Sequence, residues 1–230
     1  MTREKFHEQL ERVELELLSM GELAATAVQR SVEGLVEHDA AKAQAVIDED
    51  DPIDDLYLRI DQELLRMLAL QSPVASELRL VSAILHSCHH LERIGDQAVN
   101  IAKLNLATKD LPSSRALLQQ IEEMGTQVVV MIRTVMEAFR DRDLELCLKL
   151  PKMDDPVDRL NWAAHLEALK LADDRGALDW GLHMNLAARA LERVGDNAVD
   201  IAEQTRFLIT GDFAEFTDAS HDVPDPGMSA

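Results

Sequence analysis

The stretch LERIGDQAVNIA, residues 91–102, returns as LERVGDNAVDIA at residues 191–202, with nine of the twelve positions identical. Each copy reads as helix, yet each has a glycine at its centre and a glutamate four residues before an aspartate. A central glycine costs a helix roughly 0.5–1 kcal/mol relative to alanine, and like charges at this spacing cost about 0.2–0.5 kcal/mol. Two unfavourable features repeated in the same place indicate that they share a role.

The repeat extends far beyond this stretch. Residues 20–39 align with residues 124–143 at an offset of 104, and DDPIDDL (50–56) aligns with DDPVDRL (154–160) at the same offset. Between LERIGDQAVNIA (91–102) and LERVGDNAVDIA (191–202) the offset is 100, so the second copy has lost four residues between about 60 and 78. Four residues make about one helical turn, and such a loss is best tolerated at a helix end or in a loop.

Composition and periodicity both predict helices. Aromatic residues are only 3% of the chain, and apolar residues recur every three or four positions, the spacing of a buried helical stripe. We predict an all-α fold of two tandem, sequence-related three-helix bundles with six long helices. The predicted domains are residues 1–109 and 110–210, followed by an acidic, disordered tail at residues 211–230.

Several helix boundaries can be predicted from capping residues. The first helix is expected from Thr2 to His38, with Asp39 capping the next. In the segment QSPVAS, Ser72 is expected to cap the third helix and Pro73 to occupy its first position.

Prolines mark further boundaries. The segment KDLPSS (109–114) separates the two copies. Pro52 and Pro156 lie at equivalent places in the second helix of each copy. Because each removes a backbone hydrogen bond, the helix should bend or begin afresh there.

The formal net charge of −20 makes nucleic acid an improbable partner and favours cations and basic protein surfaces. The longest purely apolar run, VVVMI at 128–132, is far too short to span a membrane, and the N-terminus has no signal region. We therefore expect a cytoplasmic protein, at most peripheral to a membrane. Cys88 and Cys147 show no disulfide spacing and are expected to be reduced thiols.

Acidic pairs at i,i+4 spacing occur at matching places in the two copies. This spacing puts both carboxylates on one helix face, and carboxylates from two helices are ligands for hard cations. Asn100 and Asp200, a turn further along, extend the same face. The predicted ligands of a divalent or trivalent metal are Asp50, Asp54, Glu92, Asp96, Asn100, Asp154, Asp158, Glu192, Asp196 and Asp200.

Other interpretations of these residues stay open. The carboxylates could form a solvated helix face, with Arg93–Asp96 and Arg193–Asp196 as ordinary ion pairs. The segment HSCHHLE (86–92) has the composition of a zinc site, but the second copy lacks it. No catalytic motif is present, and no nucleotide- or cofactor-binding fingerprint.

The doubled ERIGD/ERVGD signature on two tandem three-helix bundles resembles the PhoU family, regulators of bacterial phosphate uptake, over residues 1–210. The resemblance implies that the acidic pairs bind metal, with iron favoured and manganese, magnesium or zinc as alternatives. It also implies a negative regulator of phosphate uptake and phosphate-starvation signalling. Such an adaptor would join the ATPase of a phosphate ABC transporter to a sensor histidine kinase, as a homodimer.

The chain departs from the family pattern in places. The family commonly has His where this chain has Gln97 and Asn197, and Asn where it has Asp200. Lys103 replaces an acid that the second copy keeps as Glu203, so the two sites are expected to differ.

Three rival functions fit the same carboxylates. They are a metal-storage protein, a di-iron enzyme and a purely structural scaffold. A di-iron enzyme typically has two Glu-x-x-His motifs, whereas this chain has only Glu4/His7.

Overall fold

The computed structural model describes residues 3–71 and 73–216, and the regular secondary structure in that part is helical. Six of the helices have twenty residues or more, and α2 and α6 are short, which confirms the all-α prediction with six long helices. The helices are α1 (Arg3–Val36), α2 (Ala40–Asp48), α3 (Asp51–Leu70), α4 (Ala75–Thr108), α5 (Arg115–Asp141), α6 (Leu144–Cys147), α7 (Leu150–Leu169) and α8 (Arg175–Thr210).

The first helix ends two residues earlier than predicted. His38 has a φ of +54°, a left-handed conformation that cannot continue a right-handed helix, so α1 stops at Val36. Asp39 caps α2 as predicted, and its carboxylate accepts hydrogen bonds from two backbone N–H groups at 2.9 and 3.1 Å. The predicted start at Thr2 lies outside the described residues.

The predicted start of the third long helix was wrong. Pro73 precedes α4, which begins at Ala75. Glu77 Oε2 accepts a hydrogen bond from the Val74 N–H at 2.9 Å, and this interaction satisfies the backbone just ahead of the first turn. The predicted cap, Ser72, lies outside the described residues.

The two equivalent prolines have different effects. Pro52 lies in the first turn of α3, which begins afresh after a break from α2, whereas Pro156 lies inside α7. The lost turn of the second copy is at a helix end, as expected. α3 continues to Leu70, while α7 stops at Leu169, the position equivalent to residue 65.

The two halves pack together through α4 on α8 and α1 on α5. A Cβ at Gly21 would lie 2.6 Å from Met136 Cγ, and a Cβ at Gly125 would lie 2.7 Å from Val32 Cγ1. Both pairs follow the offset of 104, so the contact is reciprocal, as across a twofold axis. One core cluster contains buried residues of both halves, and the division at residues 109/110 stays a prediction.

No described helix has an apolar stretch of the length needed to cross a bilayer. The predicted tail begins at Gly211, which ends α8 with a φ of +79°. Its first residues lie against α8, where Arg206 donates to the Ala214 carbonyl at 2.8 Å. Residues 217–230 lie outside the described residues.

Candidate metal sites

The structure brings the two acidic pairs of the first half together, where the start of α3 meets the middle of α4. Gly95 of α4 lies against this start of α3: a Cβ there would lie 3.1 Å from Ile53 Cδ1 and, at an ordinary contact distance, 3.5 Å from Asp50 Oδ1. Burial, then Asp54 and Asp96, raise the pKa of Asp50. Burial and then Asp96 likewise raise the pKa values of Asp54 and Glu92. The four carboxylates therefore repel one another across the two helices.

The second half repeats this arrangement with deeper burial. A Cβ at Gly195 would lie well inside 3.0 Å of Asp154 Oδ1, so any larger residue there would have to move the Asp154 carboxylate. Asp154 and Glu192 are each 8% exposed, which excludes the solvated-face interpretation for these two residues. Burial, followed by the charge of Asp196, raises the pKa of Glu192 to about 7, and Asp158 acts in the same direction. Glu192 Oε2 is buried and has no hydrogen-bond partner among the described residues.

The two candidate sites differ in their surroundings, and the expected difference between them in metal number or affinity stays a prediction. Burial and the neighbouring carboxylates raise the pKa of Asp50, and the positive charge of Lys103 reduces that rise. The equivalent Glu203 is an acid, and its Oε1 accepts a hydrogen bond from the Phe216 N–H at 2.6 Å. The first site therefore has a nearby cation, whereas the residue equivalent to that cation in the second half binds the backbone of Phe216.

The two outlying predicted ligands have different environments. Asn100 is exposed on α4, whereas Asp200 Oδ2 lies 3.4 Å from His90 Nδ1, across the contact between the halves. His90 Nδ1 also lies 2.9 Å from Asn197 Oδ1. Because Asn197 Nδ2 donates to the Arg193 carbonyl at 2.6 Å, Asn197 Oδ1 is the acceptor and His90 Nδ1 the donor.

Sequence reasoning missed this contact. It placed His90 in a possible zinc site with His86 and Cys88, but Cys88 is fully buried in the core. Burial raises the pKa of the Cys88 thiol to about 12, and the thiol donates to a carbonyl of its own helix. The only sequence signal was that the position equivalent to His90 is Ala190.

The donor set fits a hard cation in its chemistry. No group of three or more His, Cys, Asp or Glu residues within 3–71 and 73–216 is arranged to hold a metal ion. Carboxylate oxygens are nonetheless the preferred ligands of such ions. Arg189 forms an ion pair with Glu192 Oε1, and a cation would satisfy the other oxygen, Oε2, which is buried without a hydrogen-bond partner among the described residues. The ten predicted ligands stay a prediction.

The Glu4/His7 pair is the Glu-x-x-His motif that was considered for a di-iron enzyme. His7 Nε2 lies 2.7 Å from Glu77 Oε1.

Known proteins resemble the chain over nearly its whole length. A PhoU homolog from Clostridium acetobutylicum, named as a phosphate-specific transport system accessory protein, is 33% identical over 222 residues, covering 95% of this chain and all of the relative. A homolog of the same name from Pseudomonas aeruginosa is 35% identical over 219 residues, covering 95% of this chain and 88% of the relative.

Solved structures share the fold. The crystal structure of PhoU from Pseudomonas aeruginosa superposes with a TM-score of 0.86 at 35% identity, covering 90% of this chain and all of that chain. The phosphate transport system regulatory protein PhoU from Streptococcus pneumoniae gives a TM-score of 0.85 at 27% identity, covering 92% of this chain and all of that chain. The PhoU domain model matches twice, at residues 17–104 and 121–205. The chain therefore belongs to the PhoU family.

Proposed function

We propose that the chain is a negative regulator of phosphate uptake and of phosphate-starvation signalling. In this proposal it is a metal-binding adaptor between the ATPase of a phosphate ABC transporter and a sensor histidine kinase. It works in the cytoplasm as a homodimer and has no catalytic centre. The names of the relatives, which are accessory or regulatory proteins of phosphate transport, support the phosphate part of the proposal.

The observation that carries the metal part is the buried carboxylate set of the second half. Glu192 has one oxygen without a hydrogen-bond partner and stands beside Asp196 and Asp158. We propose a divalent or trivalent ion at each site, iron first, with manganese, magnesium and zinc as alternatives. The bound ion would neutralise the carboxylates and link the two helices that carry them.

The positions of the two proposed metal sites support the adaptor role. The first site joins α3 to α4, and the second joins α7 to α8. Of these helices, α4 and α8 pack against each other between the halves, whereas α3 packs on α1 and α4, and α7 packs on α5 and α8. A metal-dependent change in how tightly these helices are joined would therefore alter the surfaces that partners can contact.

Metal analysis of the purified protein tests the sites. The parent is compared with Glu92→Ala/Asp96→Ala and with Glu192→Ala/Asp196→Ala, and we expect bound metal to fall stepwise with each double substitution. A parent that stays free of metal after incubation with iron, manganese and zinc would remove the metal part of the proposal.

A reporter for a phosphate-starvation gene tests the regulation. Deleting the gene for this chain should switch the reporter on in phosphate-rich medium, and the parent sequence should restore repression. The two double variants, produced at parental levels, should restore it only in part. A reporter that stays repressed in the deletion strain would contradict the regulatory role.

A further inference from the structure

His90 of α4 joins the first half of the chain to the second candidate metal site. Its side chain is 15% exposed, and its Nδ1–H donates to Asn197 Oδ1 at 2.9 Å. The same nitrogen lies 3.4 Å from Asp200 Oδ2. Asn197 directly follows Asp196 in α8, and Asp200 lies one turn beyond Asp196. A side chain of the first half therefore contacts α8 where that helix carries predicted metal ligands of the second half.

The side chain of Asn197 is held at both ends of its amide group. The residue is 5% exposed, its Nδ2 donates to the Arg193 carbonyl at 2.6 Å, and its Oδ1 accepts the hydrogen bond from His90. A buried amide whose donor and acceptor are both bonded has a defined orientation. The bond therefore fixes α8 against α4 at the residue next to Asp196.

The contact between His90 and Asp200 is electrostatic. The Nδ1 proton is directed to Asn197, and the Asp200 carboxylate lies beside the same N–H group, to which its negative charge is attracted. This attraction restricts the orientation of the carboxylate. Groups that orient ligating carboxylates from outside a metal site matter for binding, and their loss typically lowers metal affinity about 10–100-fold.

The first half cannot form the equivalent bond. The offset of 100 places Ala190, Gln97 and Asn100 at the positions equivalent to these three residues. Ala190 has only a methyl group, so it has no hydrogen-bond donor to offer across the contact. Asn100 is exposed, whereas Asp200 is partly buried. The fold therefore does not require a polar bond at this place, and the bond belongs to the second site alone.

We propose that His90 is a positioning residue of the second metal site, supplied by the other half of the chain. It orients Asp200 as a ligand and fixes α8 beside Asp196. The second site is then complete only when α4 is packed on α8, whereas the first site is built from residues of the first half alone. Because such coupling is reciprocal, an ion at the second site also strengthens the contact between the halves. The inference rests on the proposed metal sites and adds that the packing of the two halves regulates one of them.

Mn²⁺ binding to chains that retain one site each tests the proposal by isothermal titration calorimetry. Asp50→Asn/Asp54→Asn leaves the second site, and Asp154→Asn/Asp158→Asn leaves the first. In each of these chains His90 is then replaced in two ways. His90→Leu removes the hydrogen-bond donor and keeps an apolar side chain, whereas His90→Asn keeps an N–H donor near the place of Nδ1.

The two sites should respond differently to these substitutions. In the chain that retains the second site, we expect His90→Leu to weaken Mn²⁺ binding about 10–100-fold and His90→Asn to keep most of the affinity. In the chain that retains the first site, neither substitution should change the affinity. This control separates positioning from a general loss of structure, because Glu92 is only two residues from His90 on α4 and a disturbed α4 would damage the first site.

Three results would overturn the inference and leave the metal sites standing. They are unchanged binding at the second site in His90→Leu, an equal loss at both sites, and an equal loss in His90→Leu and His90→Asn. A different result would remove the metal part of the proposed function together with this inference. It is a parent chain that binds neither Mn²⁺ nor, without oxygen, Fe²⁺.

Discussion

Replacing Glu192 with glutamine should change how the stability of the metal-free protein depends on pH. Burial raises the pKa of Glu192 from an ordinary 4.5 to about 7. Between these values the native chain keeps a proton that the unfolded chain has lost, so the free energy of unfolding falls as pH rises. At about 1.4 kcal/mol for each factor of ten in acidity, the loss is about 3 kcal/mol and is complete above pH 7. Glu192→Gln removes this loss of stability at high pH, because the glutamine amide has the shape of the carboxylate without its charge.

The free energy of unfolding is measured from about pH 5 to about pH 8 by urea unfolding, followed by far-UV circular dichroism with a chelator present. We expect the variant to match the wild type near pH 5 and to exceed its stability by about 3 kcal/mol near pH 8. Glu92→Gln is the matched control. The Glu92 side chain is 24% exposed, against 10% for Glu192, so its effect should be smaller. A difference between Glu192→Gln and the wild type that does not grow with pH would refute the reasoning.

Two further substitutions give separate tests. Gly195→Ala should empty the second metal site, because its Cβ would displace the Asp154 carboxylate. Gly95→Ala, whose Cβ would lie 3.5 Å from the nearest carboxylate oxygen, should spare the first site; equal metal contents in the two variants would contradict this expectation. His38→Gly should raise the free energy of unfolding by about 0.5–1 kcal/mol by relieving a left-handed φ, and the melting temperature by about 1–4 °C in calorimetry. An unchanged or lower melting temperature would show that the His38 backbone is not strained.

The helices could be predicted because their signals are local. Apolar periodicity and the internal repeat indicate six long helices, and Asp39 marks a cap by its residue type alone. The ends of two helices could not be predicted in the same way. Nothing in the sequence marks His38 as left-handed, and the start of α4 depends on the side chain of Glu77 reaching back to the Val74 N–H.

The candidate sites could be predicted only as sets of residues. Repetition identifies the acidic pairs, but DDPIDDL and DDPVDRL are too similar to show that the second site is the more buried. That difference depends on how closely α7 approaches α8 at Gly195. The bond from His90 to Asn197 joins residues 107 positions apart, and no local pattern indicates such a pair.

The reciprocal contacts of Gly21 with Met136 and of Gly125 with Val32 have the form of a homodimer interface enclosed within one polypeptide. In a true homodimer every substitution appears twice, so neither subunit can change alone. Joining the subunits covalently removes that restriction. His90 can then bond to Asn197 while the position equivalent to His90 holds Ala190. One gene thereby encodes the equivalent of a heterodimer, whose two halves are free to recognise different molecules.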